Sequence, residues 1–299
     1  SMYMQRFDSA GNPLWVPPND PPESGVLVFS DNRQSWHLAV RYEGGNTFYL
    51  TTGQFGEEDG DKEVRLYRLL LEDGSFDPSW PEGGVVVGQP PDAGISRYSS
   101  KLLKLLPDYE GGVIVVWENA YRRLVRRVNS LGQFVWNGVR EVEGNSEIMC
   151  PDGEGGLFVG GNARVWTGYQ EYDLRARVGH IRPDGSFAGG ANGIPLSPFV
   201  PGYAYLLSLV QSAPGTVIAN WKVDAWDSPQ FCMRFNGNEP PWALWNRSVE
   251  FDSQFRFSGI RYAHSDSAGG AIIVGNDERL RHVTMNQVLF EDPDPIPFE

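Results

Sequence analysis

The chain has 299 residues, of which 40% are hydrophobic and 13% aromatic, and its formal net charge is −13 at pH 7. This acidity disfavours a surface for nucleic acids or anionic membranes, since both require clustered lysine and arginine. With 35 glycines, 22 prolines and no apolar run of the roughly 18 residues that span a membrane, the composition favours short strands joined by tight turns.

The first predicted elements form a hairpin that recurs along the chain. A short apolar segment leads into a polar turn ending in a glycine pair, and a second apolar run follows. The copies of this second run are GGNTFYLTT from Gly44, GGVIVVWEN from Gly111, GGLFVGGNA from Gly155, the degenerate PGTVIANWK from Pro214 and GGAIIVGND from Gly269. Residues 99–108 (SSKLLKLLPD) have helical propensity, but their strand-like sister segments predict a strand there.

A second motif follows each hairpin: a basic residue, an apolar one, a turn with Gly or Asn, and then an aromatic residue. Its copies start at Arg6, Arg68, Arg127, His180, Arg234 and His282. A further strand follows most copies, as in GVLV (25–28), GVVV (84–87), GVREV (138–142) and GIPL (193–196). Each unit is therefore predicted to contain four strands.

Five such units, with one additional copy of the second motif, predict an all-β fold. We expect a single β-propeller domain over residues 1–299, with five blades of four antiparallel strands closed by pairing of the N- and C-terminal strands. Six blades are the alternative. Ser1-Met2 resembles the remnant of a cleaved tag, and residues 292–299 are expected to form a tail or linker.

The pattern resembles the β-propeller repeats of secreted and cell-surface bacterial proteins, common in Bacteroidetes. The matching residues run from Asp108 to Asn119, from Arg127 to Trp136 and over Gly138-Val139, with weaker copies throughout. The resemblance implies a propeller fold and a secreted or surface location, with the signal peptide missing from this sequence. It implies no particular activity, because that family is largely uncharacterised.

Polar and aromatic residues follow the apolar runs at matching offsets. If these runs are the innermost strands, their ends form a polar rim around one channel mouth. The candidate ligand-binding residues are Trp117, Glu118, Asn119, Asn162, Arg164, Trp221, Lys222, Asp224, Asn276 and Asp277. Partly exposed indoles beside amides and carboxylates would suit carbohydrate. The competing interpretation is that Trp117 and Trp221 pack between blades.

An enzyme is the less favoured interpretation. A glycoside hydrolase or lyase would need two facing acids, for which Glu118, Asp277 and Asp224 are the best placed. His180 and His282 occupy the position of the second motif's arginine, so we expect structural roles for both. No zinc-binding spacing occurs.

No cofactor or metal is predicted, although residues Glu57, Glu58, Asp59 and Asp61 form a weak candidate for calcium. Cys150 and Cys232 are expected to be buried thiols, with a disulfide as the alternative. The favoured function is a non-catalytic binding propeller with a glycan or protein ligand, and a purely structural protein–protein module is a further alternative. We expect a monomer that is part of a longer surface protein, binds no nucleic acid and does not insert into a membrane.

Overall fold

In a computed structural model, most of the described residues lie in antiparallel β-sheets. The described residues are 2–15, 25–29, 34–42, 44–55, 63–88, 103–119, 122–142, 148–166, 172–188, 193–196, 204–223, 230–237, 249–251, 260–275, 280–284 and 289–291. They form six sheets, and the chain divides into two compact units, Ser1–Glu141 and Val142–Glu299. The single domain predicted from the sequence stays a prediction.

The first unit contains one two-stranded and two four-stranded sheets. Strands β1 (Met2–Met4) and β2 (Val26–Phe29) form the small sheet. The second sheet runs in chain order through β3 (Gln34–Tyr42), β4 (Thr47–Phe55), β5 (Glu63–Leu70) and β6 (Val85–Gly88). The third contains β7 (Leu103–Pro107), β8 (Val113–Asn119), β9 (Arg122–Val128) and β10 (Arg140–Val142).

The second unit contains three sheets with the same strand order. The first is formed by β11 (Ile148–Pro151), β12 (Leu157–Trp166), β13 (Tyr172–Ile181), β14 (Phe187–Ala188) and β15 (Ile194–Pro195), the last two both pairing with β13. The second contains β16 (Ala204–Ala213), β17 (Thr216–Val223), β18 (Gln230–Asn236) and β19 (Val249–Phe251). The third contains β20 (Ile260–Ser265), β21 (Ala271–Gly275), β22 (Leu280–Val283) and β23 (Leu289–Glu291).

The sequence repeat corresponds to these sheets strand by strand. The ambiguous segment 99–108 contains strand β7, as its sister segments predict. Each glycine-pair run is the second strand of its sheet and pairs on both edges, as β8 does with β7 and β9. The premise that these runs are innermost strands is therefore wrong, because an innermost strand lies at a sheet edge. Their continuous apolar sequence reflects burial on both faces of the sheet.

Packing within the first unit confirms that both faces are buried. Val113, Val115 and Trp117 on β8 join a core cluster with Tyr49 and Leu66 of the preceding sheet. Ile114 and Val116, which alternate with them, are also fully buried. Alternate side chains on one strand therefore face opposite sides, as the pleat requires.

The two-stranded sheet is a partial copy of the repeat. Strand β1 precedes the basic motif at Arg6 and β2 carries GVLV, so they correspond to the third and fourth strands of a full unit.

Both edges of β21 are occupied, by β20 and β22. Among the described ladders none pairs the first strand with the last sheet, and the predicted closure and blade count stay predictions. No helix among the described residues is long and apolar enough to cross a membrane.

Candidate functional site

Both candidate tryptophans at the predicted rim are buried. Trp117 and Trp221 are only 2% and 3% exposed. Trp117 packs in a core cluster of its unit. Trp221 stacks on Phe231, and the two ring centroids lie 5.8 Å apart. Stacking on a sugar needs an exposed ring face, which neither indole presents here, so both match the packing interpretation; a role of either residue in ligand binding stays a prediction.

Two other candidates take part in contacts within the fold. The side-chain oxygen of Asn162 accepts a hydrogen bond from the Leu206 N–H at 3.1 Å. The Lys222 ammonium lies 6.0 Å from the centroid of the Tyr205 ring. Both are partly buried, so each helps to hold neighbouring strands together.

The remaining candidates are untested. Glu118 and Asn119 lie at the end of β8 opposite Arg123 and Arg122, but their side chains, like that of Arg164, fall outside the described residues. Asp224, Asn276 and Asp277 also lie outside them, as do the calcium candidates Glu57, Glu58, Asp59 and Asp61. The acid pair of the enzyme interpretation therefore stays a prediction.

A buried carboxylate organises the turn before three of the glycine-pair strands. One oxygen of Asp108 accepts the N–H groups of Glu110 and Gly112, at 2.9 and 2.7 Å. The other accepts the Arg127 Nε–H at 3.0 Å, from the third strand of the same sheet. Asp152 repeats this arrangement with His180, and Asp266 with His282, each Nε2 lying 2.8 Å from the carboxylate. The structural roles predicted for both histidines are confirmed.

The last glycine of this turn is required by close packing. A Cβ on Gly112 would overlap the Val128 carbonyl oxygen and the Asp108 carboxylate. Gly156 and Gly270 meet the corresponding groups in their own sheets. The glycine pair is therefore part of the carboxylate–cation arrangement as well as of the turn.

The least buried carboxylate of this set, Asp266, predicts a pH dependence of stability. Burial raises the pKa of Asp266, but hydrogen bonds from His282, Ala268 and Gly270 outweigh it and hold that pKa below its ordinary value. We expect Asp266→Asn to lower the free energy of unfolding by about 1 kcal/mol near neutral pH. This contribution is present above the unfolded pKa of about 3.9 and is lost as the pH falls through the folded pKa. Urea unfolding of the original chain and of Asp266→Asn, from about pH 7 to about pH 3, should show that the difference between their free energies of unfolding shrinks as the pH falls. A difference that stays constant over this range would contradict this account.

The same basic residues also link one repeat to the next. Arg6 Nη1 donates to the Leu71 carbonyl at 2.8 Å, and Arg68 Nη1 donates to the Ser130 carbonyl at 2.8 Å. In the second unit, His180 Nδ1 lies 2.7 Å from the Gly237 carbonyl, which can only accept. Each acceptor stands three residues after the basic residue of the following repeat. Within each unit, the linked hairpins of the second motif therefore lie side by side in a row.

In the first unit this row carries exposed apolar side chains. We define the hairpin surface as Leu14, Phe76, Leu131, Phe134 and Val135, together with Tyr109 of the adjacent turn. All six are exposed, Phe76 by 50% and Phe134 by 41%. Close approaches of Gly74 to Trp15 and of Gly132 to Pro81 confirm that neighbouring hairpins are in contact.

Among the residues whose side chains are described, the exposed large apolar ones lie in one unit. They are Tyr3, Phe7, Leu14, Leu27, Val40, Tyr42, Phe76, Tyr109, Leu131, Phe134 and Val135. All belong to the first unit. Phe187, which holds in the second unit the position of Phe134, is partly buried.

Tyr109 is further distinguished by its backbone. Its φ of 59° lies in the left-handed region, where a bulky side chain is uncommon. The corresponding position in the next repeat is Gly153. A large exposed aromatic residue is thus present where glycine would adopt the same turn without strain.

The cysteines offer no nucleophile. Both Cys150 and Cys232 are free thiols, so the disulfide alternative is not realised. Burial raises the pKa of Cys150 to about 11 and that of Cys232 further, which keeps both protonated at neutral pH. Within the described part of the chain, no group of three or more His, Cys, Asp or Glu side chains could hold a metal ion.

Comparison with known proteins gives structural likenesses alone. No protein-family model and no curated protein matches the sequence. Among solved structures, the Dos1 propeller is 12% identical with a TM-score of 0.41, covering 82% of this chain, which spans only 56% of that chain's length. The β-propeller domain of the Trilobed protease from Pyrococcus furiosus, with an open velcro topology, is 9% identical with a TM-score of 0.38. The match covers 88% of this chain and 84% of that one. The BP39L lectin from Burkholderia pseudomallei is 13% identical with a TM-score of 0.44, and the match covers 87% of this chain and 69% of that one.

Proposed function

We propose that this chain is a non-catalytic binding module, built as a five-bladed β-propeller and secreted or displayed at a bacterial cell surface. Its ligand is a macromolecule that binds to the hairpin surface of the first unit. The observation that carries this proposal is that, among the residues whose side chains are described, all exposed large apolar ones lie in that unit. Concentration of exposed apolar side chains on one part of a folded protein is typical of an interaction site.

The chemistry-bearing residues support a binding role over a catalytic one. Asp108, Asp152 and His180 are buried and bonded within the repeat, and Trp117 and Trp221 are packed in cores. These side chains are thus used by the fold. The first unit's hairpins expose apolar rings and aliphatic chains, which supply contact area, together with polar and acidic side chains.

Removing the two phenylalanines of the hairpin surface should weaken binding and leave the fold intact. We expect Phe76→Ser with Phe134→Ser to weaken binding at least tenfold, or by about 1.4 kcal/mol or more, since buried aromatic anchors dominate interface energies. Both rings are about half exposed, so the loss of stability should stay below about 1 kcal/mol. The measurement is binding to a glycan array and to a displayed random-peptide library, with thermal unfolding in parallel.

Phe187→Ser is the matched control, because it changes the same repeat position in the second unit. The control should retain every ligand of the original chain. Failure of the original chain to bind in either screen would overturn the proposal. So would equal binding by the double variant.

A further inference from the structure

We propose that the hairpin surface recognises a polypeptide segment in which basic and apolar residues are interspersed. This inference rests on the proposed function and names its ligand class. It draws on the charges around the apolar side chains, which the binding proposal does not use.

Acidic residues are neighbours in sequence of the exposed apolar ones. Glu72 and Asp73 are exposed at the tip of the hairpin that carries Phe76. Glu82 follows Pro81, which contacts the next hairpin at Gly132, and Glu110 follows Tyr109. All four are exposed, although Glu110 also pairs with Arg127 at 2.7 Å and Asp73 accepts hydrogen bonds from Ser75, so Glu72 and Glu82 are the carboxylates most open to a ligand resting on the apolar row.

The arginines of the same region are used within the fold. Arg6 and Arg68 donate to carbonyls of the following hairpins, and Arg126 donates to the Val87 carbonyl at 2.9 Å while its guanidinium covers the Phe134 ring. Arg127 is only 3% exposed and bonds to Asp108. Among the described residues of these turns and hairpins, no lysine or arginine is exposed. The surface thus presents apolar contact area with an acidic rim.

Such a surface is complementary to a cationic, partly apolar peptide. Aromatic and aliphatic groups supply the desolvated centre of a protein interface, and charges at its rim steer association and select the partner. Nucleic acids and anionic lipids would be repelled by the four carboxylates and by the net charge of −13. A neutral glycan would gain nothing from the acidic rim, so the charges favour a peptide.

Two synthetic peptides of equal length test the inference, one alternating lysine with phenylalanine and leucine, the other with glutamate in place of lysine. We expect the lysine peptide to bind and the glutamate peptide to bind at least about tenfold more weakly. Raising the salt concentration from about 0.05 M to about 0.5 M should weaken binding of the lysine peptide severalfold, because rim charges are screened. Glu72→Lys with Glu82→Lys should weaken binding of the same peptide about tenfold.

Glu154→Lys with Asp184→Lys is the matched control, since it changes two exposed acids of the second unit and shifts the net charge equally. It should leave binding unchanged, although Asp184 gives up its hydrogen bonds with Ser186. Equal binding of both peptides, no binding of the lysine peptide, or equal loss in the control would overturn the inference. Unchanged binding after Phe76→Ser with Phe134→Ser would also overturn it, by indicating attraction to the net charge alone. If the glycan or peptide screen gives a neutral ligand that depends on both phenylalanines, the binding function stands and the inference of a basic peptide fails.

Discussion

Asp108→Ala is expected to lower the free energy of unfolding by about 3 kcal/mol, since it removes the buried carboxylate that pairs with Arg127 and the acceptor of two backbone N–H groups. The carboxylate is fully buried and accepts hydrogen bonds from two backbone N–H groups and from Arg127. Without it, the N–H groups of Glu110 and Gly112 lose their acceptor, and Arg127 keeps only the exposed carboxylate of Glu110, which lies 2.7 Å from its Nη2. Urea unfolding at neutral pH measures the change.

Asp73→Ala is the matched control for this prediction. Asp73 also caps a turn, accepting bonds from the Ser75 N–H and hydroxyl, but it is exposed to solvent. Water can replace the carboxylate there, so we expect a loss of about 1 kcal/mol or less. Equal losses in the two variants would show that the Asp108 pair adds nothing beyond an ordinary turn.

The repeat made most of the fold predictable. Glycine pairs, apolar runs and the basic motif recur at matching positions, and each copy corresponds to the same strand of its sheet. This internal comparison corrected the helical propensity of residues 99–108, which contain a strand. It could not establish which strand lies at a sheet edge, because an apolar run records burial on two faces and says nothing about its neighbours along the hydrogen-bonding direction.

The site was less predictable than the fold. Trp117 looked like a binding residue because it ends an apolar run, yet the residues that bury it come from other strands and from Gly88, whose missing side chain leaves room for the indole. The pairing of Asp108 with Arg127 was visible in principle. An aspartate recurs four residues before the second glycine of three copies, and a basic residue recurs in the following strand of each. The sequence signal for this pair is that the aspartate and the basic residue occur together in the same copies, and neither motif alone contains both.

The hairpin surface left almost no sequence signal. Phe134 and Phe187 occupy equivalent positions, and the residues that flank them are of similar type. Phe134 is nevertheless exposed, whereas Phe187 is partly buried. Tyr109 is the exception, since glycine at the sister position 153 indicates a left-handed backbone that an aromatic residue would not ordinarily adopt.

One repeat replaces the whole carboxylate arrangement with hydroxyl groups. Ser212 stands in the position of Asp108 and Thr216 in that of Gly112. Arg234 Nε donates to the Ser212 hydroxyl at 2.9 Å, and the two hydroxyls lie 2.9 Å apart. The strands there also extend further, so that Ala213 pairs with Thr216. Serine and threonine thus occur together with a tighter turn.

This difference predicts that the turn residues depend on one another. Gly112→Thr alone should cost about 3 kcal/mol, at the upper end for overpacking, because its Cβ would overlap the Val128 carbonyl and the Asp108 carboxylate. Replacing all of residues 108–112 (DYEGG) by SAPGT, the sequence of residues 212–216, should cost less than this, although it contains the same glycine-to-threonine change. The tighter turn removes the overlap, and the two hydroxyls provide an acceptor for Arg127 as they do for Arg234. Urea unfolding measures the free energy of unfolding of both variants, and we expect that of the five-residue replacement to be the higher. A five-residue replacement that is less stable than Gly112→Thr would show that the two turns are not interchangeable and that the surrounding sheet selects the carboxylate.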